Sequence, residues 1–155
     1  MKLYAHKVST TSRPVLLFIS ENKIDCEFVV VDLMTGEHMK EPFTQLNPSK
    51  QVPVLVDGDF VLTESSAILK YLAEKIGSPT YPKELKQRAK VNEAMDWLNT
   101  GYYREYGYHL VYPQVYPHHV RKPEAVNQGT VDWGKTQSES WLGVPMMVGD
   151  SFLGL

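Results

Sequence analysis

The clearest structural signal in this chain is the stretch of residues 52–67, VPVLVDGDFVLTESSA. Two apolar runs, at residues 52–56 and 60–62, flank the dipeptide Asp57-Gly58. An Asp-Gly pair between apolar runs is a strong hairpin signal, because these residues accept the positive φ angles that a tight turn requires. The stretch therefore predicts two antiparallel strands.

The residues on both sides of this hairpin predict a mixed sheet with helices on its faces. After the hairpin, Ile68, Leu72 and Ile76 recur every four residues and so share one face of a helix. Before it, the pattern predicts, in order, a strand at 2–6, a helix with its N-cap at Ser12, a Val-rich strand at 27–33 and a short helix at 41–46. The order βαβ-α-ββα combines a parallel pair with antiparallel strands, which indicates an α+β domain.

A domain boundary is predicted at residues 82–83, which gives domains at 1–80 and 83–155. Beyond the boundary the pattern becomes helical and rich in aromatic residues. One long helix is predicted from apolar residues at helical spacing, namely Val91, Met95, Leu98 and Tyr102. A second helix is predicted over about 130–142, so the second domain is expected to be all-α.

The composition indicates a globular protein and argues against a nucleic-acid-binding or membrane-spanning protein. Of the 155 residues, 43% are apolar and 22% charged, and the formal net charge of −2 argues against a nucleic-acid surface. No apolar run approaches the ~20 residues that span a bilayer, so no membrane association is expected. The single Cys26 cannot form an internal disulfide, and residues 1–6 lack a signal-peptide pattern, so a cytoplasmic location is expected.

No metal site is expected. The candidate ligands are His109, His118 and His119, and none has a Cys or acidic residue at a ligand spacing. His118 and His119 are adjacent and follow Pro117, so their side chains are expected to point apart. Surface histidines are the simpler interpretation.

The order of these elements and motifs resembles a glutathione S-transferase, and within that family the theta-like class. The motifs that carry the resemblance are Leu3-Tyr4, Ser9-Thr10-Thr11-Ser12-Arg13, Val31-Asp32-Leu33, Asn47-Pro48, Gln51-Val52-Pro53-Val54-Leu55, Asp57-Gly58, Thr63-Glu64-Ser65, Ala67-Ile68, Arg88-Ala89 and Trp97. The resemblance implies a thioredoxin-like N-terminal domain followed by an all-α domain. In the family the second domain continues well past the equivalent of Gly149, so a shortened C-terminal helical domain is expected here.

The resemblance implies glutathione as the co-substrate, with its γ-glutamyl end at the start of the helix after the hairpin. The unpaired N–H groups and partial positive charge of a helix N-terminus suit a carboxylate. Ser65 adds a hydroxyl donor at that place, and the Glu64 carboxylate suits the ammonium group. These two residues are therefore predicted to bind the γ-glutamyl end.

The middle of the glutathione chain is expected to pair with Val52 in the manner of an added strand. By resemblance, the peptide bond between Val52 and Pro53 is cis, which turns the Val52 N–H and C=O outward. His38 and Gln51 match positions that contact the glycyl end in the family. Gln51 stands where a lysine is often found, which weakens the capture of a carboxylate.

Catalysis requires the glutathione thiol to ionise. A free cysteine thiol has a pKa of ~8.5, and a helix N-terminus together with a hydroxyl donor lowers it. By resemblance, Ser9 is the catalytic hydroxyl that donates to the sulfur. Thr10, Thr11 and Ser12 offer three further hydroxyls, and which of the four contacts the sulfur stays open, although Ser12 is better explained as the helix cap.

A small hydrophobic electrophile is the expected second substrate, with Arg13, Tyr103 and Arg104 as its contacts. Aromatic side chains provide apolar area with polar groups, which suits such substrates. The resemblance also implies a homodimer and a role in detoxification. Two alternatives to a transferase remain: a non-catalytic module of the same fold used for protein association, and an inactive truncated product.

Overall fold

The computed structural model describes residues 1–143, and the chain divides into two compact units, Met1–Tyr81 and a second unit that begins at Pro82. The expected shortening of the second domain concerns residues that follow Gly143 and lies outside the described residues. None of the helices within residues 1–143 has the length and apolarity that a membrane crossing requires.

The first unit is a four-stranded mixed sheet with helices. Its elements are β1 (Lys2–Ala5), α1 (Ser12–Glu21), β2 (Glu27–Val30), α2 (Phe43–Leu46), β3 (Val54–Asp57), β4 (Phe60–Leu62) and α3 (Ser65–Lys75). The strand order is β2-β1-β3-β4, in which β1 runs parallel to β2 and antiparallel to β3, and β3 pairs antiparallel with β4. The predicted thioredoxin-like order and mixed sheet are confirmed.

The main core of this unit lies where β1 and β3 meet α1 and α3. Leu3 and Ala5 are two residues apart on β1, so their side chains point to the same face of the sheet, and both are buried. Their buried neighbours in the cluster are Val15, Leu55, Ile68 and Leu72. Burial of each large apolar side chain stabilises the fold by about 1.5–3 kcal/mol, so this cluster fixes the positions of both helix N-termini.

Helix α1 begins differently from the prediction, which was wrong about Ser12. Ser12 is the first residue of the helix and is fully buried, so it is not the N-cap. The oxygen of the Ser9 side chain accepts the Ser12 backbone N–H at 3.2 Å instead. The tight turn before the helix places the Ser9 side chain next to the backbone N–H groups at the start of α1. Ser9 therefore supplies the capping side chain.

The second unit is helical, as predicted, but its helices have other boundaries. Helix α4 spans Leu85–Trp97, two segments of wide π-helical turns follow at Leu98–Tyr102 and Arg104–Val111, and then come α5 (Tyr112–Val115) and α6 (Glu124–Gly143). The predicted apolar stripe is wrong at Leu98, which is exposed. A π-helical turn contains more residues than an α-helical turn, so the 3.6-residue period is lost after α4.

Helix α6 packs closely against the second π-helical segment. A β-carbon on Gly134 would lie 2.6 Å from the carbonyl carbon of His109 and 2.6 Å from the backbone nitrogen of Leu110. Only a glycine allows this approach of two backbones. On the same helix, Gly129 has open space around the corresponding position.

Candidate active site in the first unit

A small open pocket lies where the N-terminal turn of α1, the loop before β3 and the start of α3 converge. Its lining residues are Thr11, Asn47, Gln51, Val52, Pro53, Thr63, Glu64 and Ser65. The pocket holds about 50 Å³, whereas pockets that enclose a whole drug-sized ligand hold ~300–1,000 Å³. It therefore suits one end of an extended ligand that continues along the surface.

Five of the residues predicted to bind glutathione meet in this pocket: Gln51, Val52, Pro53, Glu64 and Ser65. The other predicted residues of the first unit lie elsewhere. His38 is half-buried in the 3₁₀ turn Glu37–Met39. Arg13 is exposed, and its Nε donates to the Lys7 carbonyl at 2.9 Å.

Asn47 organises the loop that forms one wall of the pocket, and the sequence analysis did not assign it to the site. Its Nδ2 donates to the Gln51 carbonyl at 2.8 Å, and its Oδ1 accepts the Ser49 N–H at 3.0 Å. Asn47 is buried, and its hydrogen bond to the carbonyl fixes the backbone of Gln51. The available signal was an Asn at a helix end before Pro48, because Asn side chains commonly close such turns.

The peptide bond between Val52 and Pro53 is cis, as expected. The Val52 carbonyl is not as free as expected, because it accepts the Thr11 hydroxyl at 3.0 Å. A carbonyl oxygen has two lone pairs, so a second donor can still bind it. The Val52 carbonyl was expected to be free for a ligand, but one of its two lone pairs already accepts the Thr11 hydroxyl.

The start of α3 presents backbone N–H groups to the pocket. Glu64 is the N-cap residue, and its carbonyl accepts the Ile68 N–H at 2.9 Å, which is the first bond of the helix. The N–H groups of Ser65, Ser66 and Ala67 precede that bond and have no intrahelical acceptor. Together with the helix dipole they favour an anion at this position.

Glu64 has a strained backbone, with φ +65° and ψ 114°. A residue with a β-carbon rarely adopts a positive φ, and such strain is concentrated at functional sites. The side chain of Glu64 is exposed and does not cap the helix, so its carboxylate can meet a ligand. The strain therefore supports a binding role for this residue.

We predict that the Glu64→Gly variant is more stable than the Glu64→Ala variant by about 1–2 kcal/mol, because glycine accepts the positive φ and alanine does not. Both variants lack the carboxylate, so the comparison isolates the backbone. Urea unfolding of the full chain measures the difference. Equal stabilities would show that the backbone of Glu64 relaxes without cost.

The predicted catalytic residue, Ser9, lies beside the pocket rather than in its wall. Ser9 is 9% exposed, and its Oγ lies 3.0 Å from the Thr11 Oγ1. Thr11 is half-buried and lines the pocket. Ser12 is fully buried and its hydroxyl has no hydrogen-bond partner within residues 1–143, which sets it apart from the other two.

The residues predicted to contact the second substrate from the second unit have partners within that unit. The Arg104 Nε donates to the buried Glu105 carboxylate at 2.8 Å, and the Tyr103 hydroxyl is bonded to the Tyr112 hydroxyl. The same carboxylate lies 2.7 Å from the His109 Nδ1. Burial raises the pKa of Glu105, but the hydrogen bonds from His109 and Arg104 outweigh it and hold that pKa below its usual range.

The comparisons with known proteins point to one family. Residues 1–74 match the model of the glutathione S-transferase N-terminal domain. The chain is 45% identical over 102 residues to human glutathione S-transferase theta-1, a match that covers 64% of this chain and 42% of that protein. The chain thus spans less than half of the length of this curated relative.

Two solved structures extend the similarity beyond the first unit. Glutathione transferase F7 from Populus trichocarpa is 31% identical with a TM-score of 0.77, and the match covers 91% of this chain and 67% of that one. Human glutathione transferase theta-2, in complex with glutathione and an unknown ligand, is 34% identical with a TM-score of 0.75, covering 99% of this chain and 61% of that one. The sheet, the pocket and these similarities together show that the chain belongs to the glutathione S-transferase family.

Proposed function

We propose that this chain is a glutathione transferase that activates the glutathione thiol for attack on small hydrophobic electrophiles. The observation that carries the proposal is the pocket at the start of α3, where free backbone N–H groups, the Ser65 hydroxyl and the Glu64 carboxylate converge. A γ-glutamyl group carries both a carboxylate and an ammonium, so it needs donors and an acceptor at one place. The complex of human theta-2 with glutathione supports the same ligand.

In this proposal the γ-glutamyl carboxylate binds Ser65 and the first turn of α3, while its ammonium pairs with Glu64. The cysteinyl backbone lies along Val52 and Pro53, and the Val52 carbonyl accepts a ligand N–H with its remaining lone pair. Gln51 and His38 bind the glycyl end. The fixed loop around Asn47 supports this arrangement because it holds the Gln51 carbonyl in place.

The thiol then lies near the N-terminus of α1, where the helix dipole favours a negative charge. The Ser9 hydroxyl donates a hydrogen bond to the thiolate, keeps its own proton and thereby lowers the pKa of the bound thiol. The thiol proton passes to solvent, and the sulfur forms a bond to the electrophilic carbon. The bond from that carbon to the leaving group breaks, and the leaving group departs with the electron pair.

An assay with glutathione and 4-nitrobenzyl chloride tests the proposal. We expect turnover above the uncatalysed rate, release of chloride and competitive inhibition by S-methylglutathione, which has no thiol to react. Turnover no faster than background, with the protein folded, would reject a transferase. Weak or absent binding of S-methylglutathione to the folded protein, together with capture of a defined protein partner, would then favour the non-catalytic module.

The remaining features of the proposal follow the family. Arg13, Tyr103 and Arg104 contact the electrophile, the chain forms a homodimer, and it works in detoxification in the cytoplasm. Kinetics of the Arg13→Ala variant test the first point, with an expected increase in KM for the electrophile and no change in KM for glutathione. Sedimentation of the full chain tests the second.

A further inference from the structure

The hydroxyl groups of Ser9 and Thr11 form a chain of hydrogen bonds that runs in one direction. The chain runs from Ser9 Oγ to Thr11 Oγ1 at 3.0 Å and from Thr11 Oγ1 to the Val52 carbonyl at 3.0 Å. A carbonyl only accepts, so the single hydroxyl proton of Thr11 is donated to Val52. The Thr11 oxygen is therefore the acceptor in its bond with Ser9, and Ser9 is the donor.

The direction of these hydrogen bonds limits what Ser9 can donate to a bound thiolate. Ser9 has one hydroxyl proton, and the structure directs it to Thr11. The Ser9 oxygen meanwhile accepts the Ser12 N–H at 3.2 Å, which fixes the side chain in place. Ser9 can donate a hydrogen bond to the ligand's sulfur only after its hydrogen bond to the Thr11 oxygen breaks. The sulfur and the Thr11 oxygen therefore compete for the Ser9 hydroxyl.

We infer that Thr11 is a positioning residue that holds the Ser9 proton and restrains its donation to the glutathione sulfur. The inference rests on the proposed function and deepens it, because it assigns control of thiolate formation to a residue in the pocket wall. Thr11 acts through Ser9. A variant without the Thr11 hydroxyl leaves the Ser9 proton free, so the restraint is lost.

The test compares the pKa of the bound glutathione thiol in the full chain and its variants, measured from the ultraviolet absorbance of the thiolate as a function of pH. Thr11→Val keeps the shape of the side chain and removes the hydroxyl, and we expect it to lower that pKa by about 0.5 to 1. Thr11→Ser keeps the hydroxyl and is expected to match the unmodified chain. In a Ser9→Ala background, Thr11→Val is expected to change nothing.

Three outcomes overturn the inference. If Thr11→Val raises the pKa or leaves it unchanged while glutathione still binds, the inference fails and the proposed function stands. If the decrease persists in the Ser9→Ala background, Thr11 does not act through Ser9. If the unmodified chain, shown to be folded by its thermal transition, binds no glutathione, the proposed function fails and this inference fails with it.

Discussion

Replacing Ser9 with alanine should lower the turnover of glutathione with an electrophile by roughly 10- to 100-fold at neutral pH. A hydrogen bond to an ionised group contributes about 1.5–3 kcal/mol, and each 1.4 kcal/mol is a factor of ten. The lost bond stabilises only the thiolate, so the affinity for glutathione should change little. Steady-state kinetics and calorimetry on the same protein measure both quantities.

Ser20→Ala is the matched control for this prediction. Ser20 lies on α1, the helix that follows Ser9, is exposed and is not in the pocket wall, so its variant should retain full turnover. Ser9→Ala also removes one of the two acceptors of the Ser12 N–H, the other being the Ser9 carbonyl, so the loss of stability should be at most about 1 kcal/mol. Thermal unfolding therefore accompanies the kinetics. Unchanged turnover in a folded Ser9→Ala protein would reassign the sulfur contact to another hydroxyl of the segment.

Gly134→Ala should destabilise the chain by about 3 kcal/mol. The added β-carbon would meet backbone atoms of His109 and Leu110, and a backbone cannot move aside as a side-chain end can. Forcing an extra methyl into a packed site costs about 1–3 kcal/mol, and the backbone contact places this case at the upper end. Thermal or urea unfolding of the full chain measures the loss.

Gly129→Ala is the matched control, because it makes the same substitution on the same helix in open space. Alanine has a higher helix propensity than glycine, so this variant should gain about 0.5–1 kcal/mol of stability. The two variants are thus expected to change stability in opposite directions. A gain in both would mean that α6 does not pack against His109 and Leu110 as described.

The sheet and the hairpin could be predicted because their signals are local. The apolar runs around Asp57-Gly58 define β3 and β4, and the helix that follows begins at Ser65, where the polar residues end the hairpin. The five site residues were named from the resemblance to the glutathione S-transferase family. They meet in the pocket because they lie just before β3 and at the start of α3.

The contribution of Thr11 could not be predicted because it depends on a contact across the fold. Thr11 meets the Val52 carbonyl, which is distant in sequence, and nothing in the local pattern separates its hydroxyl from those of Ser9, Thr10 and Ser12. The hydrogen bonds of Asn47 are local, and their signal, an Asn at a helix end before Pro48, was present in the sequence. The π-helical turns after Trp97 were missed because a test for a 3.6-residue period does not detect wider turns. Helix α6 begins at Glu124, before the predicted start, and this part was missed because residues 124–129 bury no large apolar side chain.

The most direct test of the central claim is a calorimetric titration of the full chain with glutathione and, separately, with cysteinylglycine, which lacks the γ-glutamyl group. Binding at the start of α3 by Ser65 and Glu64 predicts saturable one-site binding of glutathione, and binding of cysteinylglycine that is at least tenfold weaker. Equal affinity for the two peptides, or no binding of glutathione to the folded chain, would contradict the assignment of this pocket.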